Sequence, residues 1–158
     1  MRLALQFALV VLILSAGCLG GGGTQTTFEP TTADISSGVA CDDGLWVSFW
    51  GLSQESFWEP DSVRTGYSLP EDTEVLFVAY VDGEVAGTEY ERARDGGRVV
   101  DGGGVSLNTA YDGKHTVQVV AYEDTNDSEA FENGVDEPCR ADGELVQAGP
   151  TVVDFSRF

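Results

Sequence analysis

The chain has 158 residues, enough for one domain with a full core and too few for two comfortable ones. Its 27 Asp and Glu residues outnumber its 8 Lys and Arg, and the resulting net charge of −19 argues against a nucleic-acid partner. With 42% hydrophobic residues the chain is not collagen-like or wholly disordered, and one His with three Cys leaves little material for a metal site or a Cys–His active centre.

Residues 1–17 have the composition of a secretory signal peptide. Arg2 supplies a short positive region, residues 3–14 form an almost uninterrupted apolar run, and small residues follow it. The apolar run is shorter than a membrane-spanning helix needs. An uncleaved anchor helix is the alternative interpretation.

The segment Leu14-Ser15-Ala16-Gly17-Cys18 resembles the lipobox of prokaryotic lipoproteins. This resemblance implies that Cys18 becomes the mature N-terminus and carries a lipid. The expected location is then the extracytoplasmic face of the cell membrane, with the membrane as a partner through the lipid anchor.

The acidic excess, with lysine used once at Lys114, resembles that of haloarchaeal proteins. Concentrated salt screens the repulsion between like charges that would otherwise loosen such a fold. An acidic surface protein from an ordinary organism is the alternative.

Residues 18–40 are rich in Gly, Thr and Ser and show no sustained apolar period, which is typical of a flexible linker. The folded domain is therefore predicted over residues 41–158.

From residue 41 onward the pattern is β. The Asp82-Gly83 pair between two apolar runs predicts a tight hairpin, because both corner positions of a type I′ turn need positive φ. Glycines 102–104 and Gly149-Pro150 are predicted to separate further strands. The strand candidates are residues 45–50, 62–69, 74–81, 84–91, 99–100, 105–107, 114–122, 145–148 and 152–155. The prediction is an all-β protein with a single immunoglobulin-like Greek-key sandwich of about seven or eight strands.

Residues 110–122 resemble the entry to the penultimate strand of immunoglobulin-like domains, where a Tyr hydroxyl bonds back to the preceding corner. His115 occupies the position of that Tyr. The resemblance implies a structural role for His115, with its ring N–H bonded to the preceding turn, rather than a catalytic one.

With Cys18 lipidated, Cys41 and Cys139 remain as an even pair in an extracytoplasmic chain. An oxidising compartment favours a disulfide between them. Two unpaired thiols are the alternative.

The acidic loop of residues 124–136 has a spacing of oxygen-bearing side chains that suggests a calcium site. Asp124, Asn126, Ser128 and Glu132 stand at positions one, three, five and nine of an EF-hand-type spacing. Glu129 and Val135 occupy positions where that loop needs Gly and a bidentate Glu. A solvated hairpin tip is the alternative, and no other cofactor is expected.

Aromatic residues cluster around the first strand. Alternation places Trp46, Ser48 and Trp50 on one face of residues 45–50. Trp46, Trp50 and Trp58 could stack on sugar rings if they point outward. Packing between two sheets is the alternative.

The sequence contains no motif that indicates an enzyme. The leading interpretation is a lipid-anchored, immunoglobulin-like envelope protein with a structural or protein-contact role. The alternative is a carbohydrate- or solute-binding module that uses its tryptophans. Envelope proteins or glycans are the expected partners.

Overall fold

The computed structural model describes residue 28, residues 30–50 and residues 60–157. Within them the chain is all-β, as predicted, with ten strands and one short 3-10 helix. The strands are β1 (Val39–Ala40), β2 (Trp46–Phe49), β3 (Ser62–Leu69), β4 (Glu74–Val81), β5 (Glu84–Arg92), β6 (Arg98–Ser106), β7 (Lys114–Glu123), β8 (Glu137–Ala141), β9 (Glu144–Leu145) and β10 (Gln147–Asp154), and the 3-10 helix spans Phe155–Arg157.

The larger sheet has seven strands. Its main order is β1-β8-β7-β4-β5, while β10 pairs with β7 and β9 pairs with β8. Every pair is antiparallel except β1 with β8. β7 is therefore the central strand, with β4 on one side and both β8 and β10 on the other.

The smaller sheet contains β2, β3 and β6 in that order, all antiparallel. The chain leaves β3 to form β4 and β5 in the larger sheet. It returns to place β6 beside β3, and crosses again to place β7 beside β4. These connections make a Greek key, and the two sheets form the predicted sandwich.

The core lies between the two sheets and follows the alternation of side chains along each strand. On β7, Val117, Val119 and Ala121 point inward and are fully buried. Tyr67 of the smaller sheet meets Phe77 of the larger one, with ring centroids 4.8 Å apart. Each fully buried side chain of this size contributes about 1.5–3 kcal/mol to stability.

β4 is buried on both faces, which explains its nearly continuous apolar sequence. Phe77 and Ala79 belong to the core between the sheets. Leu76, Val78 and Tyr80 point the other way and form a second apolar cluster with Val120 and Tyr122 of β7. The outer face of the larger sheet is therefore apolar at its centre, and another part of the chain must pack on it to bury these side chains.

The N-terminal segment, defined as residues 30–38, supplies part of this packing. Ala33 and Ile35 pack against the second cluster. The Arg140 guanidinium donates to the Ser37 carbonyl oxygen from Nε at 3.2 Å and Nη2 at 3.1 Å. Because β1 follows this segment directly, the packed domain extends N-terminal to the predicted boundary at residue 41.

The Asp82-Gly83 hairpin is confirmed. It joins β4 to β5, with Val81 opposite Glu84. Asp82 and Gly83 have φ angles of 51° and 83°. Both residue types tolerate this left-handed conformation, which is why the dipeptide predicts the turn.

The predicted turn at glycines 102–104 is wrong, because β6 runs through it as one strand. A β-carbon on Gly103 would lie 2.9 Å from Tyr67 Cε1, and one on Gly104 would lie 3.2 Å from the Val63 carbonyl oxygen. These glycines allow close approach between neighbouring groups. The register of β3 against β6 shifts at this point, between Thr65 and Tyr67.

Two further differences concern the C-terminal strands. β10 continues across Gly149-Pro150, a cis peptide, with a register shift between Ala148 and Thr151. Cys139, which lies outside the predicted strands, belongs to β8. The sequence of β8 contains no β-branched residue, so local propensity does not indicate a strand there.

Candidate functional site

The alternation along β2 places two tryptophans on the outer face of the smaller sheet. Leu45 and Val47 point into the core, whereas Trp46 is 42% exposed and Trp50 is 36% exposed. The predicted assignment of residues to faces is confirmed. The alternative, in which Trp46 and Trp50 pack between the two sheets, is wrong because both side chains are exposed. Trp58 lies outside the described residues.

The ring of Trp50 lies over Gly102. A β-carbon built on Gly102 would be 3.7 Å from Cδ2, 3.7 Å from Cε3 and 3.8 Å from Cζ3 of the indole. Near-equal distances to three consecutive ring atoms mean that the indole meets the strand with its face. The backbone at Gly102 therefore lies against one face of the Trp50 indole. The sequence places this glycine in a turn and does not reveal that contact.

The tryptophan face is defined as the outward surface of β2, β3 and β6 together with Trp50. Its residues are mostly small or aromatic. They are Trp46, Ser48, Trp50, Ser62, Arg64, Gly66, Ser68, Val99, Asp101, Gly102, Gly104 and Ser106. Among these residues Asp101 is the only acid and Arg64 the only base, so the face is electrically balanced on a chain of net charge −19.

A cavity of about 200 Å³ borders Trp46 at the edge of the tryptophan face. Glu144 and Gln147 supply polar groups to its lining, and Leu145 supplies an apolar one. The Gln147 Oε1 atom accepts a hydrogen bond from Gln118 Nε2 at 2.6 Å. A ligand that contacts Trp46 therefore meets hydrogen-bonding groups beside the ring.

This arrangement combines aromatic surface with short polar side chains. An exposed indole offers a wide, rigid, apolar contact at a low cost in conformational entropy. Ser48, Arg64 and Asp101 add donors and acceptors around it. The tryptophan face can therefore bind a flat ligand that has apolar ring faces and hydroxyls at its edges.

His115 lies at the rim of the core and has a partner on each ring nitrogen. Nε2 is 2.9 Å from the Asp112 carbonyl oxygen, which confirms the predicted bond to the preceding turn. Nδ1 is 2.7 Å from Asp82 Oδ2. Asp82 Oδ1 also accepts from the Thr116 N–H at 2.8 Å. Asp82 therefore ties the β4–β5 hairpin to β7, a role that its place in a turn motif does not indicate.

The four predicted calcium ligands bond within their own loop. The Asp124 carboxylate accepts from the Ser128 N–H at 3.1 Å and the Glu129 N–H at 2.7 Å. Asn126 Nδ2 donates to Glu132 Oε2 at 2.7 Å. The loop connects the paired strands β7 and β8, as the hairpin-tip alternative expects. In the part of the chain that the structure describes, no group of three or more His, Cys, Asp or Glu side chains could hold a metal ion.

The predicted disulfide between Cys41 and Cys139 is confirmed, with Cα atoms 5.3 Å apart. It fastens the end of β1 to β8, whose residue Cys139 is fully buried. Cys18 lies outside the described residues. Nowhere in residues 28, 30–50 and 60–157 does the chain form a helix long and apolar enough to cross a membrane.

The chain matches no protein-family model, no curated protein and no solved structure.

Proposed function

We propose that this protein is a lipid-anchored, extracytoplasmic domain that binds oligosaccharides on its tryptophan face. The observation that carries the proposal is the outward orientation of Trp46 and Trp50 on one face of the smaller sheet, at 42% and 36% exposure. Large aromatic side chains exposed together on a soluble domain mark a binding surface.

The charge balance of the tryptophan face supports a neutral ligand. A ligand recognised through its charge would need several side chains of the opposite sign. This face carries one of each, Arg64 and Asp101, with serines and glycines around them. Sugars suit such a surface because their ring faces are apolar and their hydroxyls both donate and accept hydrogen bonds.

The spacing of the tryptophans favours a ligand longer than one sugar ring. Trp46 and Trp50 are four residues apart along an extended segment, and each residue of a strand advances the chain by about 3.3 Å. Their backbone positions are therefore about 13 Å apart. One face of the Trp50 indole already lies against Gly102, so we expect the ring to lose little conformational freedom when a ligand stacks on its other face.

The N-terminal segment and the tryptophan face lie on opposite sides of the sandwich. The N-terminal segment packs on the outer face of the larger sheet, whereas Trp46 and Trp50 occupy the outer face of the smaller one. The N-terminal segment therefore leaves Trp46 and Trp50 uncovered.

Replacing Cys18 by Ser is expected to remove the lipid, because the thioether needs a thiol. The unmodified protein is expected in the detergent phase after Triton X-114 partition. The Cys18→Ser protein is expected in the aqueous phase, or as an unprocessed precursor of higher mass. A correctly cleaved Cys18→Ser protein that still partitions into detergent would overturn lipid anchoring.

Removing either exposed tryptophan is expected to weaken oligosaccharide binding by about tenfold or more. A base stacked on an aromatic side chain gains on the order of 1–3 kcal/mol, and we expect a sugar ring on an indole to gain a similar amount. Calorimetric titration with cellohexaose, chitohexaose and mannohexaose measures the affinity of the parent, Trp46→Ala and Trp50→Ala proteins. A parallel fluorescence titration of the parent with calcium and with chelator tests whether the acidic loop contributes.

The matched control is Val152→Ala, which removes an exposed apolar side chain (49% exposed) on β10, away from the tryptophan face. Its affinity is expected to equal that of the parent. Carbohydrate binding on this face is refuted if none of the hexasaccharides saturates the parent, or if both tryptophan variants keep full affinity.

A protein-contact role in the cell envelope is the second candidate. Val99, which lies opposite Ser68, is 67% exposed on the same face. An exposed Val beside two exposed Trp also suits a small apolar protein interface. A parent that binds no hexasaccharide, together with envelope cross-links that Trp46→Ala abolishes, would favour this alternative.

A further inference from the structure

A second cavity lies on the side of the sandwich opposite the tryptophan face. Its volume is about 320 Å³, at the lower end of the range for small-molecule sites. Residues 33–37 of the N-terminal segment form one wall, and Tyr80 and Tyr122 of the larger sheet form another. The β4–β5 turn and the loop before β8 complete the lining. Several separate parts of the chain thus build the cavity together.

The two tyrosines leave one hydrogen-bond donor unused. Their hydroxyl oxygens are 2.6 Å apart, and the residues are only 8% and 6% exposed. Burial raises the pKa of both phenols, so both keep their protons. Two hydroxyls carry two hydrogens, and their mutual bond uses one. Among the described residues neither hydroxyl has another partner, so one O–H of this buried tyrosine pair is left for an acceptor in the cavity.

The charged side chains of the cavity are all acidic. Asp34 and Glu84 line it and are exposed to solvent at its rim. Asp136 is 4% exposed, and its oxygens accept from the N–H groups of Thr125 at 3.3 Å and Glu132 at 2.6 Å. No Lys, Arg or His among the described residues lines the cavity. Its electrostatic potential therefore disfavours anions and favours a cation.

We propose that this cavity binds a small organic cation that also carries an oxygen acceptor. The oxygen accepts the unused O–H of the Tyr80–Tyr122 pair, and the cationic nitrogen lies near Asp34 and Glu84. The side chains of Ala33, Ile35 and Val85 also line the cavity. They suit methyl groups on the nitrogen, so the ligand class is a quaternary amino alcohol. This site is independent of the proposed oligosaccharide site, because it shares no residue with the tryptophan face.

Choline is the probe, and 3,3-dimethylbutan-1-ol is its neutral control of the same shape. Calorimetric titration of the full chain, at a salt concentration that keeps it folded, is expected to show saturable choline binding. The neutral alcohol is expected to bind about tenfold more weakly or not at all, because it lacks the charge that Asp34 and Glu84 attract. Absence of saturable choline binding, or equal affinity for the two compounds, would overturn the proposal.

Two double variants separate the roles of the lining residues. Asp34→Asn/Glu84→Gln is expected to weaken choline binding by about tenfold while leaving the neutral alcohol unaffected. Tyr80→Phe/Tyr122→Phe removes both hydroxyls and is expected to weaken choline by a similar factor. Tyr90→Phe is the matched control, since Tyr90 bonds Glu74 on the same sheet but does not line the cavity. It is expected to bind choline like the parent.

Thermal unfolding of each variant shows whether it is folded. If the tyrosine double variant does not fold, the choline affinity of the Asp34→Asn/Glu84→Gln protein tests the site. That protein is expected to fold, because both replaced acids are exposed. Unchanged choline affinity in that protein would refute the site. Loss of choline binding alone, with hexasaccharide binding retained, would support the cavity site independently of the tryptophan face.

Discussion

Replacing Cys41 by Ser and Cys139 by Ala together is expected to lower the free energy of unfolding by about 4 kcal/mol. The bond joins residues 98 positions apart. On the chain-entropy account, closing a loop of about 100 residues stabilises a fold by about 4.7 kcal/mol, and measured values are commonly about 2–4 kcal/mol. Against a total stability of about 5–15 kcal/mol, this is a large share.

The surroundings of the bond add to the expected loss. Cys139 is fully buried, so an alanine there leaves a small void in the core. The bond also holds β1 beside β8, where only two residue pairs form the ladder. Without it, the N-terminal segment depends on the Arg140–Ser37 hydrogen bonds and on packing by Ala33 and Ile35.

Denaturant unfolding measures this effect as a shift of the midpoint. Cys41→Ser and Cys139→Ala singly are expected to lose nearly as much as the double variant, because either change removes the same bond. A double variant within about 1 kcal/mol of the parent would contradict a stabilising disulfide. Native, unreduced protein in which both thiols react with an alkylating agent would contradict the bond itself.

Lowering the salt concentration from 1 M to 0.01 M is expected to reduce Tm by about 10 °C or more, which corresponds to about 2–3 kcal/mol for a domain of this size. The excess of acidic side chains, which gives the net charge of −19, makes like charges repel one another in the compact state. The Debye length grows from about 3 Å to about 30 Å over this range, so repulsion that salt confines to close neighbours then acts across the whole domain.

Three exposed aspartates offer a matched test of this electrostatic cause. Asp72, Asp127 and Asp142 have φ angles of 56°, 56° and 51°. Asn tolerates that left-handed conformation as well as Asp does, so Asn at these positions keeps the turns and removes three charges. The triple variant is expected to melt higher than the parent at 0.01 M salt and equally at 1 M salt.

A Tm that stays constant across the salt series would contradict the halophilic interpretation and favour an ordinary acidic surface. A triple variant that gains equally at both salt concentrations would assign the effect to turn geometry rather than to charge. Scanning calorimetry at matched protein concentration measures both proteins in the same series.

Period-two patterns predicted most of the strands and the assignment of residues to faces. β3, β4 and β7 begin where the sequence places them. The Asp82-Gly83 hairpin follows from the local preference of its two residues for positive φ. These features were predictable because they depend on side chains that are neighbours along the chain.

Glycine and the polar residues were the least predictable parts. Glycines 102–104 have the composition of a turn, but in β6 their missing side chains make room for Tyr67 and Trp50. The sequence could not distinguish these uses, since a glycine is equally compatible with a turn and with a close approach of another group. Asp82 and His115 are 33 residues apart, and only the pairing of β4 with β7 brings them together.

The sequence by itself determined the all-β class, the acidic charge, the pairing of Cys41 with Cys139 and the separation of Trp46 and Trp50 from Leu45 and Val47. Tertiary structure alone decided which of those two faces of β2 meets the core and which meets solvent. It also decided that the phenols of Tyr80 and Tyr122 meet in a cavity beneath the N-terminal segment. The physical reason is that alternation divides a strand into two faces through local geometry, whereas long-range strand pairing determines what packs against each face.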